Sequence, residues 1–177
     1  MKDENRFMDI TKICAFTGYR PGKMPCGGDE SADAVIVIKK KLYDIVEKLA
    51  ADGIKIFMSG MAMGFDLFAA EAVISVKKKY DVKLIAVIPY HEQSEKWNAF
   101  WRTRYDDTLK QCDGALNICK EYTYSSYKQR NKYLVDNAAT VVTYFDGKAG
   151  GTMSTVIYAE SLDRKVINIA DPDCGRV

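Results

Sequence analysis

The chain has 177 residues and a formal net charge of +2, because 26 Lys and Arg residues face 24 Asp and Glu residues. This length fits a single domain with a sizeable core, and such a balanced charge does not indicate a non-specific nucleic-acid binder. The five cysteines form no CxxC pair, which favours reduced thiols and a cytoplasmic protein. We expect no signal peptide, no membrane span and no metal site, since the N-terminus lacks an apolar core, no apolar run approaches ~20 residues, and His91 is the single histidine.

Apolar runs and helical spacings alternate along the chain. Strands are predicted at 12–19, 54–60, 82–90 (halted by Pro89), 113–119, 139–147 and 164–171. Helices are predicted from Ser31, as the N-cap, to about Gly53, and at 65–80, 97–109, 127–138 and 153–163. Apolar strands separated by helices indicate an α/β fold with a parallel sheet covered on both faces. We expect one domain over 1–177, with a core of about 13–170. The ends, 1–10 and 172–177, are expected to be loose.

Small residues cluster where predicted strands give way to helices. These turns contain Thr17-Gly18, Ser59-Gly60-Met61 with Gly64, Pro89, Asp146-Gly147 and Gly150-Gly151-Thr152. The carboxyl ends of parallel strands share one rim, where open α/β sheets bind ligands. A helix N-terminus without a Cβ in the way suits phosphate. The two bare helix starts, SGMAMG and GKAGGT, therefore predict a nucleotide-like ligand, and the alternative is that these glycines only make turns.

Standard nucleotide motifs are absent from the sequence. No GxGxxG follows the first predicted strand, and no GxxxxGK[ST] occurs. A dinucleotide-dependent dehydrogenase and a P-loop NTPase are therefore both disfavoured.

Charged residues near the rim have two interpretations each. Arg20 suits bidentate contact with a phosphate, or is an ordinary surface arginine. Asp66 caps its helix or, less favoured, binds a ligand hydroxyl. Glu71 faces the rim or offsets the helix dipole. Asp146 suits ribose hydroxyls, or begins a tight turn.

Aromatic residues are concentrated in two helical segments. In YTYSSYKQRNKY, tyrosines alternate with basic residues around Arg130 and Asn131, a composition that can stack a base and hold its phosphate. The alternative is an amphipathic helix, and packing is favoured for the tyrosines. Trp97 and Trp101 are spaced for one helix face, where core packing or a dimer interface is favoured over base stacking.

Five segments in order resemble the SLOG superfamily, specifically its YpsA-like branch: CAFTGYRP, SGMAMGFDLFAAEAV, IPYHEQSEKW, KQRNKYLVDNA and YFDGKAGGTMSTVIYA. The resemblance implies a three-layer, Rossmann-like doubly wound sheet with central strand order 3-2-1-4-5. This chain has Tyr19 where that branch often has histidine. The ligand-binding candidates are Thr17, Gly18, Tyr19, Arg20, Ser59, Gly60, Met61, Gly64, Asp66, Pro89, Arg130, Asn131, Asp146, Gly150, Gly151 and Thr152.

Two groups of SLOG relatives suggest functions. Gly150-Gly151-Thr152 resembles the PGGxGT loop of lonely-guy-type phosphoribohydrolases, and Arg130-Asn131 resembles their Arg-Lys helix. Those enzymes carry a glutamate pair just after the loop, where this chain has residues 153–155, Met-Ser-Thr. Their N-glycosidic chemistry needs a carboxylate at the sugar. Catalytic residues therefore stay unassigned, with Arg130 and Glu71 as candidates and either Glu71 or Asp66 as the substitute carboxylate.

The second group is the DprA-like proteins, which bind single-stranded DNA. GGTMSTVIYAESLDRKVINIA resembles one of their helices, but the weak net charge disfavours DNA. We expect a nucleotide-derivative sensor, for a nucleoside monophosphate or an ADP-ribose-like ligand, with a phosphoribohydrolase-like enzyme and a DNA binder as alternatives. A homodimer is expected because SLOG relatives self-associate. No cofactor is expected.

Overall fold

A computed structural model describes residues 9–171 as alternating strands and helices. The strands are β1 (Ile13–Gly18), β2 (Ile56–Ser59), β3 (Lys83–Tyr90), β4 (Gly114–Cys119), β5 (Thr140–Tyr144) and β6 (Lys165–Asn168). The α-helices are α1 (Asp33–Ala51), α2 (Phe65–Val76), α3 (Ala99–Leu109), α4 (Ser126–Asp136) and α5 (Gly151–Ser161). The ends expected to be loose lie outside the described residues, except that Ile10–Lys12 forms a short 3-10 helix.

All described strands pair in parallel in one sheet, with the order β4-β3-β2-β1-β5-β6. When the edge strand β4 is set aside, the remaining order matches the expected 3-2-1-4-5 arrangement, so the predicted doubly wound α/β fold is confirmed. Strand β1 lies between β2 and β5, and the chain changes its direction across the sheet there. Ligand crevices of open α/β sheets form at such a switch point.

Alternate residues of β1 serve the two faces of the sheet. Cys14 and Phe16 belong to the large core under α1 and α2. Ile13 and Ala15 belong to a smaller core that includes Leu134 of α4. Because both faces are covered by helices, the strand is apolar at consecutive positions rather than at every second one.

The expected role of Pro89 and the predicted start of the first helix need correction. The third strand ends at Tyr90, as its predicted range 82–90 has it, so Pro89 does not halt it. Strand β3 pairs with β2 only as far as Ala86. No carbonyl of β2 therefore needs the N–H that Pro89 lacks. Ser31 was expected to cap α1, but its hydroxyl donates to the Asp29 carboxylate at 2.8 Å, and the helix begins at Asp33.

The two tryptophans pack within their own chain. The Trp97 ring meets Tyr105 edge-on with centroids 5.5 Å apart, and Trp101 lies 6.3 Å from Phe68. These contacts agree with the core-packing interpretation, and the homodimer stays a prediction. None of the helices between residues 9 and 171 is both long and apolar enough to cross a membrane.

Candidate functional site

A cleft of about 280 Å³ opens at the carboxyl end of β1, between the starts of α2, α4 and α5. It is lined by Thr17, Gly18, Tyr19, Arg20, Gly22, Lys23, Ala62, Asp66, Tyr127, Arg130, Asn131, Gly151 and Thr152. Most of the predicted ligand-binding residues therefore meet at one place. The predicted residues that do not line it are Ser59, Gly60, Met61, Gly64, Pro89, Asp146 and Gly150.

The start of α5 is open towards this cleft. Gly150 is the N-cap residue, and no side chain caps the helix. A Cβ built on Gly151 would meet no atom within 4 Å. The Thr152 hydroxyl donates to the Gly18 carbonyl at 3.1 Å and so fixes the helix start against the end of β1. The side-chain position of Gly151 is therefore open, as close approach of an anion to the helix start requires, while the Lys23 Nζ would lie 2.6 Å from a Cβ on Gly150.

The start of α2 is closed by the protein itself. A Cβ on Gly60 would overlap the Arg130 guanidinium, which donates to the Gly60 carbonyl. A Cβ on Gly64 would lie 2.8 Å from the Tyr19 carbonyl, which accepts the Phe65 N–H at 3.1 Å. The expectation of two open helix starts is therefore wrong for α2, because its glycines make room for protein atoms.

Arg130 and Asp66 form a buried pair at the floor of the cleft. Their Nη1 and Oδ2 atoms are 3.6 Å apart, and their side chains are 6% and 7% exposed. Burial raises the pKa of the Asp66 carboxyl, while the charge of Arg130 opposes that rise. The Arg130 Nε donates to the Asn131 side-chain oxygen at 2.7 Å. Asp66 is the one carboxylate among the residues lining the cleft in the described chain, and it is already engaged.

Two further cations flank the open start of α5. Arg20 is exposed, and its guanidinium carbon lies 5.0 Å from the centre of the Tyr127 ring. The Lys23 Nζ donates to the Ala149 carbonyl at 2.6 Å, next to Gly150. Neither cation forms an ion pair within the described residues. The cleft therefore offers positive charge beside the helix start.

Tyr19 and Asp146 interact with each other. The buried Tyr19 hydroxyl donates to the Asp146 carboxylate at 2.7 Å and accepts the Lys148 N–H at 3.1 Å. The Lys148 ammonium, 2.7 Å from Asp146, and the Tyr19 hydroxyl together lower the pKa of Asp146. Asp146 therefore anchors the loop before α5 and does not line the cleft.

Glu71, the second catalytic candidate, lies outside the cleft. It accepts two hydrogen bonds from Arg104, from Nε at 2.5 Å and from Nη2 at 2.7 Å. Arg104 also pairs with Glu30, so this cluster joins α2 and α3 to the segment before α1. No group of three or more His, Cys, Asp or Glu side chains that could hold a metal ion occurs within residues 9–171.

Sequence reasoning missed four of the lining residues: Gly22, Lys23, Ala62 and Tyr127. Gly22 and Lys23 follow Arg20 directly, in a short 3-10 helix, Pro21–Lys23. Lys23 could have been predicted as a basic residue just after β1, the strand that ends at the switch point. Tyr127 was interpreted as packing, yet its half-buried ring both packs and lines the cleft.

Comparisons with known proteins agree with the fold. The family model described as "YspA SLOG family" matches residues 14–166. The chain belongs to the YspA SLOG family. A UPF0398 protein of Bacillus cereus (strain G9842) is 27% identical over 82% of this chain and 80% of its own length. A UPF0398 protein of Bacillus thuringiensis (strain Al Hakam) is 26% identical over 89% of this chain and 86% of its own length.

Solved structures share the fold at low identity. The crystal structure of TM1055 has a TM-score of 0.55 at 17% identity and covers 94% of this chain and 79% of its own. DNA processing protein A (DprA) from Streptococcus pneumoniae has a TM-score of 0.59 at 17% identity, over 88% of this chain and 49% of its own. DNA processing protein A from Helicobacter pylori, which binds single-stranded DNA, has a TM-score of 0.58 at 16% identity, over 87% of this chain and 63% of its own.

Proposed function

We propose that the cleft binds a phosphorylated nucleotide derivative, either a nucleoside monophosphate or an ADP-ribose-like molecule, and that the protein acts as a sensor. The observation that carries this proposal is the open start of α5, where a Cβ on Gly151 would meet nothing within 4 Å. Phosphate accepts hydrogen bonds from such amides and is attracted by the partial positive charge of the helix.

Arg20 and Lys23 supply the remaining charge for a phosphate. Both line the cleft beside α5, and neither has a carboxylate partner within residues 9–171. Arg20 presents a planar fork that suits two phosphate oxygens. The Lys23 ammonium donates to one carbonyl and has two more N–H groups to offer. The Arg130–Asp66 pair carries little net charge and forms the floor of the cleft.

Contacts of the carboxylates favour binding over hydrolysis. Glu71 is held by Arg104 outside the cleft, and Asp66 is held beside Arg130. The phosphoribohydrolase-like alternative depends on Asp66 as the carboxylate at the sugar. Single-stranded DNA is the other alternative, and the net charge of +2 does not favour it.

A charge placed in the open space tests the proposal. Gly151→Asp puts a carboxylate where the phosphate is expected, and it stabilises the helix because acids are favourable at N-termini. We expect AMP or ADP-ribose at 100 times its Kd to stabilise the wild-type protein by ~2.7 kcal/mol in thermal denaturation. The same ligand should not shift the melting temperature of Gly151→Asp, whose melting temperature without ligand is unchanged or higher.

Met153→Asp is the matched control. Met153 is exposed in the same first turn of α5 and does not line the cleft, so its ligand response should persist. An equal ligand response in both variants, or none in the wild-type protein, contradicts the proposal. Free base released from AMP in these mixtures would favour the hydrolase instead.

A further inference from the structure

Three tyrosines lead from the cleft to the protein surface. Tyr127 lines the cleft beneath Arg20. Tyr90, at the end of β3, meets the Tyr127 ring edge-on with centroids 5.9 Å apart. Tyr122, in the loop before α4, contacts the Tyr90 ring, with centroids 5.3 Å apart and ring planes at 72° to each other. The three rings therefore form one contiguous group, here called the tyrosine group, that runs from Tyr127 in the cleft to the exposed Tyr122.

The outermost ring is held in place and still open to solvent. Tyr122 is 62% exposed although Tyr90 supports it. The hydroxyls of Tyr90 and Tyr127 lie 3.2 Å apart and bond each other. This pairing engages the two hydroxyls, and Arg20 lies over the Tyr127 ring, so the Tyr122 ring is the open part of the tyrosine group. Supported but exposed aromatic rings beside a basic cleft match the way proteins bind nucleic-acid bases, by stacking and cation–π contact.

We propose that the tyrosine group is the base-binding subsite of the cleft, with the base of a nucleoside phosphate stacked on Tyr122. This inference rests on the proposed function, which places the phosphate at the start of α5. Stacking depends on ring area and not on the hydrogen-bonding edge of the base. The site therefore prefers purine over pyrimidine nucleotides and separates adenine from guanine only weakly.

Calorimetric titration with AMP, CMP and ribose 5-phosphate tests the subsite. Ribose 5-phosphate carries the sugar and phosphate without a base. In Tyr122→Leu, AMP binding should weaken about 5- to 150-fold, the range that stacking on one aromatic side chain supplies. Binding of ribose 5-phosphate should not change. Tyr122→Phe keeps the ring and should bind AMP as the wild-type protein does.

Tyr124→Leu is the control, because Tyr124 is in the same loop and is 100% exposed. Unchanged AMP affinity in Tyr122→Leu overturns the subsite and leaves the proposed function standing. Equal loss of both ligands in Tyr122→Leu also overturns it, since the loop then acts on the phosphate end. If the wild-type protein binds neither ligand, the proposed function fails and the subsite fails with it.

Discussion

The starts of α2 and α5 look alike in sequence and differ in the folded protein. Both helices follow strands that end at the same edge of the sheet, and both are preceded by glycine-rich turns. At α2, Gly60 makes room for Arg130, and Gly64 makes room for the Tyr19 carbonyl. At α5, the space beside Gly151 is empty.

This difference separates two uses of a missing side chain. Glycine permits close approach, and the approaching group is either part of the protein or a ligand. The guanidinium of Arg130 occupies the α2 turn much as a bound cation would, and Asp66 supplies its counter-charge. At the α5 turn the Lys23 ammonium lies beside Gly150, 2.6 Å from a Cβ built there, but the space beside Gly151 is empty. Two helix starts with similar composition therefore differ in what fills the space beside their glycines.

The largest expected effect comes from removing the occupant of the α2 turn. Arg130→Met leaves the buried Asp66 carboxylate without its cation, so the free energy of unfolding should fall by about 3–5 kcal/mol at neutral pH. Urea denaturation measures this change. Adding Asp66→Asn to the same chain should recover part of the loss, because the uncompensated charge is gone. Arg102→Met, at an exposed position on α3, should change stability by less than about 0.5 kcal/mol.

The pH dependence of that loss follows from the raised pKa of Asp66. A folded-state pKa above the unfolded value means that the folded protein holds the proton more tightly. The stability gained from this tighter proton binding is fully present below the pKa of Asp66 in the unfolded chain. It is lost as the pH rises through the pKa of Asp66 in the folded protein. Arg130→Met removes the charge that opposes this rise, so the pKa of Asp66 is higher still in the variant, and the variant's deficit should shrink in mildly acidic urea titrations. The Asp66→Asn double variant should not show this trend. A deficit that is constant with pH would contradict the charge-based explanation.

A smaller effect is expected from adding one methyl group at each turn. Gly60→Ala forces Arg130 out of its place and brings a Cβ within 2.7 Å of Asp66 Oδ2. Such overpacking should lower the free energy of unfolding by about 1–3 kcal/mol. Gly151→Ala should leave it unchanged or raise it by up to about 1 kcal/mol, since the Cβ meets open space and the unfolded chain loses freedom. Equal losses in urea denaturation would show that the two turns do not differ.

Much of the fold could be predicted from the sequence, because apolar strands and helical spacings are local patterns. Their alternation also fixes which strand ends share a rim, so Thr17, Arg20 and Thr152 were placed together correctly. The occupant of the α2 turn could not be predicted in this way. Arg130 reaches the Gly60 carbonyl from a helix 70 residues further along the chain, and that contact depends on tertiary packing. The openness of Gly151 is likewise visible only once its neighbours are in place.

The smallest effect concerns Tyr19, which contacts both turns. Its carbonyl accepts the Phe65 N–H at the start of α2, and its hydroxyl binds Asp146 and the Lys148 N–H before α5. Tyr19→Phe keeps the carbonyl and the ring but removes the hydroxyl. We expect a loss of about 1 kcal/mol in unfolding free energy, with faster hydrogen exchange at the Lys148 amide and unchanged exchange at Phe65. Tyr124→Phe, at a fully exposed ring, should change neither. Faster exchange at Phe65 as well would mean that the two helix starts are coupled through Tyr19 and do not respond separately.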